Sequence, residues 1–174
     1  YDLLKRKRRS RGTIDFENQE TRILLDGQRK VYSILPLERT VAHRLVEECM
    51  LCANECAARL LNEIGCPTLY RVHQAPDPEK VDRLRSFLQE IGIELNGGSE
   101  PKPRDYSHVL REINNRKDRS VIEALMLRSM NLAVYQTNNI GHFGLSYGAY
   151  THFTSPIRRF PDLIVHRIIR NSFK

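Results

Sequence analysis

Between His142 and Leu163 the chain crowds its most restrictive residues into one stretch, HFGLSYGAYTHFTSPIRRFPDL. Ser155 is a favourable N-cap and Pro156 a favourable first helical residue, because proline has no N–H to leave unpaired there. The pair predicts a helix from Ser155 or Pro156 towards Asn171, with Pro161 inside it as a kink. The first-turn N–H groups of such a helix carry partial positive charge, and Arg158 and Arg159 fall within the same turn and a half. Together with a hydroxyl from Thr154 or Ser155 they suit an anion, phosphate best. The competing reading is an ordinary helix start with solvated arginines, although two arginines opposing the macrodipole need a reason. Phe143, Tyr147, Tyr150, His152 and Phe153 lead into this corner and offer flat faces for bases.

The clearest helix spans about Thr40 to Ile64. Val41, Leu45, Cys49, Cys52, Cys56, Leu60 and Ile64 recur at helical spacing and predict its core-facing stripe. Gly65 and Pro67 stop it. A second stripe, His43, Glu47, Leu51 and Asn54, runs along the border of that face. Such a polar border is either plain surface or the wall of a cavity.

Elsewhere the pattern mixes strands and helices. Residues 12–17, 20–25 and 31–35 read as an antiparallel meander, with turns at Glu17-Asn18-Gln19 and Asp26-Gly27. Thr68 to His73 reads as a buried strand. Asp77-Pro78 opens a helix to about Ile91 with Val81, Leu84, Phe87 and Leu88 inward. Residues 94–104 form a loop rich in glycine and proline. Asp105 caps a short helix, and Asp118 or Ser120 starts another to about Asn131, in which Met126 and Met130 fill gaps. Leu132–Gln136 and His142–Ser146 are further strand candidates.

The chain has 174 residues, enough for one domain with a real core, and a net charge of +7. That charge favours a polyanionic partner without choosing among RNA, DNA and acidic membranes. Part of it is local. Lys5, Arg6, Lys7, Arg8, Arg9 and Arg11 crowd the N-terminus, as a solvated tail or loop or as a phosphate-contacting segment. No apolar run approaches the ~18–20 residues of a membrane span, and the basic start has no apolar segment behind it, unlike a secretory signal. Four cysteines at 49, 52, 56 and 66 read as packed free thiols rather than metal ligands, which points to a reducing compartment, the cytoplasm.

The string HFGLSYGAYTHFTSPIRRFPDLIVHRII resembles the signature of the RNase II/RNase R (RNB) exoribonuclease family. RGTIDF, ERTVAHRLVEECMLCAN and TLYRVHQAPDPEKVDRLRSFL precede it in the family's order, so the resemblance covers about residues 6–171. It implies an α+β architecture: a mixed, largely antiparallel sheet wrapped by helices, with the 40–64 helix in the core. It further implies processive 3′-to-5′ hydrolysis of RNA to 5′-nucleoside monophosphates, assisted by Mg²⁺ ions held by aspartates. Arg158 matches the family's catalytic arginine. Arg159 is matched to an adjacent phosphate or a structural pair, Thr154 and Ser155 to the capped corner, and Tyr150 to RNA binding. Glu47, or alternatively Glu48, would read a ribose 2′-OH. Phe16 would stack on a base or pack in the core, and Asp162 would pair with an arginine rather than bind a metal.

The family's metal cluster, D-x-x-x-D-x-D-D, is absent. Asp2, Asp15, Asp26, Asp77, Asp82, Asp105, Asp118 and Asp162 are scattered along the chain. No residue here is therefore assigned to metal. The resemblance implies that residues 1–174 are the C-terminal half of the catalytic domain, inactive alone. The aspartates, the other half and the cold-shock-like and S1 RNA-binding domains would lie elsewhere. The alternative is a non-catalytic RNA-binding or scaffold module that keeps the fold.

Overall fold

The computed structural model describes residues 1–16, 21–37 and 39–173. The fold is α+β, as expected, but its strands form two separate two-stranded antiparallel ribbons rather than one sheet.

The basic N-terminus is a helix, α1 (Asp2–Arg11), not a tail. Leu, Lys and Arg side chains, none branched at Cβ, favour helix, Asp2 suits the positive end, and Arg8, Arg9 and Arg11 suit the negative end. Gly12 ends it with φ 77°, a left-handed conformation that glycine adopts without steric cost. Residues 12–16 then run extended without forming the first strand of a meander. Instead Ile14 N–H donates to the carbonyl of Gly144 and Thr13 Oγ1 to that of Leu145, docking this segment on the 142–147 stretch. The turn expected at residues 17–19 lies outside the described residues. What remains of the meander is a hairpin, β1 (Thr21–Leu25) with β2 (Val31–Pro36). Its turn is held by Asp26 Oδ1, which accepts from the N–H groups of Gln28 and Lys30.

Helix α2 (Val41–Glu63) has the predicted extent, and Thr40 Oγ1 caps it by accepting from His43 N–H. Its orientation is not the predicted one. The chain buries Glu48, Asn54, Ala57, Ala58 and Leu61. Val41, Leu45, Cys49, Cys52 and Cys56 face outward. Small residues and two partnered polar groups permit close approach of the neighbouring segments, whereas the apolar stripe meets no described element. The expected packing of the three thiols is thereby corrected, as is the central place given to this helix.

The main core sits instead among α3 (Pro78–Glu90), α4 (Pro103–Glu112), a 3-10 turn (Ile113–Asn115) and α5 (Arg119–Ser129). Val81, Leu84, Leu88, Tyr106, Val109, Ile113, Ile122 and Met126 interlock there, and Phe16 and Phe143 pack against them. Asp105 stands at the third position of α4, where its carboxylate accepts from Lys102 N–H at 2.7 Å, so this helix begins three residues earlier than a cap at Asp105 suggested. The second ribbon pairs β3 (Tyr70–Val72) with β4 (Val134–Gln136). The strand expected over 142–146 is reduced to bridges from His142 to His73 and Tyr147.

Helix α6 spans Phe160–Ser172, so it starts four or five residues after the predicted point. Residues 155–159 make one turn, with the Arg158 and Arg159 N–H groups donating to the Ser155 carbonyl. The chain then extends at Arg159 (φ −129°, ψ 118°) before α6 begins. A helix continuous from Pro156 would hold Pro161 in its interior, without a donor and against the preceding turn. Restarting at Phe160 moves Pro161 into the first turn, where its missing N–H costs nothing.

Candidate functional site

Helix α2 and the 150–159 loop face each other across an open cavity of about 280 Å³. The polar border stripe of α2 forms one wall: His43, Glu47, Leu51 and Asn54, with Arg39, Val46 and Met50. Tyr150, His152 and Arg159 form the other. Of the two readings of that stripe, the cavity wall is the one realised.

Glu47 is held from two sides. Arg8 Nη1 donates to its Oε1 at 3.2 Å, and Arg39 Nη2 to its Oε2 at 2.7 Å. Glu48 points away from the cavity into protein, where Arg8 Nη1 donates to it at 2.6 Å; Arg8 Nη2 also reaches Asp15 at 2.8 Å. Burial opposes the Arg8 charge, but its hydrogen bonds to Glu48 and Glu47 and the nearby carboxylates outweigh this and push its pKa upward. One guanidinium from α1 thus bridges the paired glutamates, and with Arg39 it balances their two charges. Arg11, one turn on, lies 4.0 Å from the centroid of the Tyr147 ring and donates to the Leu145 carbonyl.

The signature stretch is tied down from within. Asn54 Oδ1 accepts from the N–H groups of Phe153 (2.9 Å) and Thr154 (3.2 Å), and its Nδ2 donates to Tyr150 Oη at 2.9 Å. Asp162 is fully buried and its Oδ1 accepts from both Ser155 N–H and Arg159 Nη2, each at 2.8 Å. The Ser155 N–H that was to face an anion is therefore engaged, and no bundle of free first-turn donors forms. Arg159 lines the cavity. Arg158 is exposed beside it, with Nη2 3.4 Å from Ser155 Oγ. Thr154 Oγ1, Arg159 Nε and Asp162 Oδ2 are buried without a hydrogen-bond partner among the described residues.

The aromatic approach is packed rather than open. The Tyr150 ring is 5% exposed and lies against Tyr147, parallel at 5.7 Å, and edge-on to His142 and His152. It has no free face for a base. Phe153 stacks on His166 at 4.1 Å. Phe16, half-buried, packs against the main core, the second of the two places expected for it. Burial lowers the pKa of His142 to about 3, helped by His73, and that of His152 to about 4, helped by Arg159, so both rings are neutral. His152 Nδ1 lies 2.5 Å from Tyr135 Oη.

The sequence does not single out Arg8 or Arg39 as site residues, and it places Asn54 on the border stripe without giving it a role. Arg8 is hidden in a charge run and nothing local distinguishes Arg39. Asn54 does carry a signal: a short polar side chain in mid-helix, between Ala53 and Glu55, competes with the helix backbone unless its bonds go elsewhere. No group of three or more His, Cys, Asp or Glu among the described residues is arranged to hold a metal. Asp162 is committed to Arg159 and the Glu47–Glu48 pair to arginines, so these residues do not fit a Mg²⁺ site. No helix among the described residues is long and apolar enough to cross a membrane.

The family model described as RNB domain matches residues 1–174. Ribonuclease R of Vibrio cholerae is 48% identical over 170 residues, covering 98% of this chain and 21% of that protein. The solved structure of Mycoplasma genitalium RNase R in complex with ribose-methylated single-stranded RNA superposes with a TM-score of 0.91 at 32% identity, over 97% of this chain and 26% of that one. Yeast Ssd1, a pseudonuclease, is similar with a TM-score of 0.68 at 26% identity, over 77% of this chain and 17% of that one. The chain thus spans about a fifth to a quarter of the length of these RNase R proteins, and with the family's model matched from end to end it belongs to the RNB domain family.

Proposed function

We propose that this chain is part of a processive 3′-to-5′ exoribonuclease of the RNase R type, which hydrolyses RNA to 5′-nucleoside monophosphates. One observation carries the reading. Arg159 from the signature stretch and Glu47 from α2 line the same cavity. A guanidinium suits a phosphate and a carboxylate suits a ribose 2′-OH, and the two together suit an RNA nucleotide. Both Glu47 oxygens already accept one arginine donor, and each keeps room for a second.

In this reading Arg158, exposed and next in sequence to Arg159, stabilises charge developing on the scissile phosphate. Arg159 contacts an adjacent phosphate while anchored to Asp162. Thr154 and Ser155 shape the corner, and Thr154 Oγ1 has no hydrogen-bond partner there among the described residues. Tyr150 contributes to RNA binding. Mg²⁺ would be bound by aspartates outside residues 1–174, in the other half of the catalytic domain, and would supply the activated water. That half is the expected partner of the outward apolar stripe of α2, and residues 1–174 alone are expected to be inactive. The four free thiols fit a cytoplasmic protein.

The likeness to a pseudonuclease favours a second reading, a non-catalytic RNA-binding module with the same fold. Incubation of the full-length natural chain with 5′-labelled RNA and Mg²⁺ separates them. Stepwise shortening from the 3′ end with release of 5′-monophosphates supports the exoribonuclease. RNA binding without shortening supports the module.

A further inference from the structure

The side chain of Asn54 is 3% exposed, and its orientation is dictated by the groups around it. Backbone N–H groups only donate, so the atom that faces Phe153 and Thr154 is the carbonyl oxygen. The NH₂ end then faces Tyr150 Oη, and the phenolic oxygen accepts from it. Tyr150 therefore has a hydroxyl hydrogen left to give, and no described residue accepts it. The residue lines the cavity together with Arg159, whose charge acts on the phenol.

We propose that Tyr150 donates its hydroxyl hydrogen to a non-bridging phosphate oxygen of RNA seated beside Arg159, and that Asn54 is the positioning residue that reserves this donor for the ligand. The inference rests on the RNA reading above and assigns Tyr150 the role of a polar contact, not of a base platform. Burial raises the phenol's pKa, so the proton stays on at neutral pH. A neutral O–H in a nearly buried wall is matched to an anionic acceptor that brings its own charge and finds a guanidinium alongside.

The test uses the full-length natural chain, a fluorescein-labelled single-stranded oligoadenylate, and a chelator to prevent turnover. Tyr150→Phe is expected to weaken binding about ten- to a hundredfold, the range for a hydrogen bond to a charged group. Replacing the phosphates near the 3′ end by methylphosphonates should remove most of that difference between wild type and variant. Asn54→Asp keeps an acceptor for both backbone N–H groups but turns the phenol round to donate to the carboxylate. It should weaken binding as well, and adding Tyr150→Phe to it should cost nothing more. Wild-type affinity in a folded Tyr150→Phe variant overturns the inference alone. So does an Asn54→Asp/Tyr150→Phe double variant whose losses multiply, a result that decides the matter even if the single phenylalanine variant does not fold. Absence of RNA binding by the wild-type chain overturns the RNA reading and this inference with it.

Discussion

Arg159 and Asp162 form an ion pair at 2.8 Å in which the carboxylate is fully buried and the guanidinium half-buried. The same carboxylate oxygen holds Ser155 N–H, so one side chain both ties the loop to α6 and aims an arginine at the cavity. Asp162→Ala removes the counter-charge of a desolvated arginine and an acceptor for a buried N–H. It should lower stability by about 3–5 kcal/mol, the usual cost of orphaning one partner of a buried pair. Asp162→Asn, which still accepts from Ser155, should lose less. Urea unfolding midpoints of the two variants check the order.

The adjacent arginines should separate by experiment. Arg158 is exposed and makes one long contact, at 3.4 Å. Arg158→Ala should leave the melting temperature nearly unchanged. In the full-length protein it should cut turnover by roughly 10²–10³, the scale of losing one transition-state donor, with RNA affinity much less affected. Arg159→Ala should lower stability and affinity together. Single-turnover kinetics and equilibrium binding on the same preparations measure both; unchanged turnover in Arg158→Ala removes that residue from the mechanism.

Glu47 and Glu48 differ in what they face, and their variants should differ accordingly. Glu47→Ala should relax preference for RNA over DNA while leaving the fold intact, because Arg8 keeps Glu48 and Asp15. Glu48→Ala removes a buried ion-pair partner and should destabilise the α1–α2 contact by about 3–5 kcal/mol. Binding of matched RNA and DNA oligonucleotides, alongside thermal melts, distinguishes the two. Equal discrimination before and after Glu47→Ala refutes ribose reading.

Two histidines set an acid limit on stability. His142 and His152 stay neutral in the fold down to about pH 3 and about pH 4, against an ordinary value of 6.5. Above pH 6.5 both are neutral whether folded or unfolded and have no effect on the balance. As pH falls below 6.5 the unfolded chain takes up protons that the fold refuses, so stability declines towards those lower values. Each ring adds at most ~1.4 kcal/mol per pH unit to the slope. Unfolding midpoints between pH 7 and pH 4.5 should fall, and His142→Gln should make the decline shallower.

Local chemistry in the sequence made much of this fold legible. Asp77-Pro78 opened α3, Asp26-Gly27 turned the hairpin, and Gly65 with Pro67 stopped α2. The failures arose where long-range packing overrode a local rule. Ser155-Pro156 is a good helix start by itself, but it lost to Pro161, which needed the first turn for its own missing donor. Apolar periodicity on α2 correctly predicted a helix but not the buried side, because Ala57, Ala58 and Leu61 make contacts that the longer stripe lacks. At the site, the border stripe with Glu47 and Asn54 was visible. Arg8 was not, since only the fold distinguishes one arginine from its neighbours in a basic run.

The outward row of Cys49, Cys52 and Cys56 makes α2 a built-in reporter. Three thiols along roughly two turns of one face react with a maleimide whenever that face is bare and are shielded whenever another portion of the polypeptide lies over it. Counting alkylated sulfurs by mass spectrometry, first on residues 1–174 and then on the full-length natural chain, would read directly whether further polypeptide docks there, with no label to introduce.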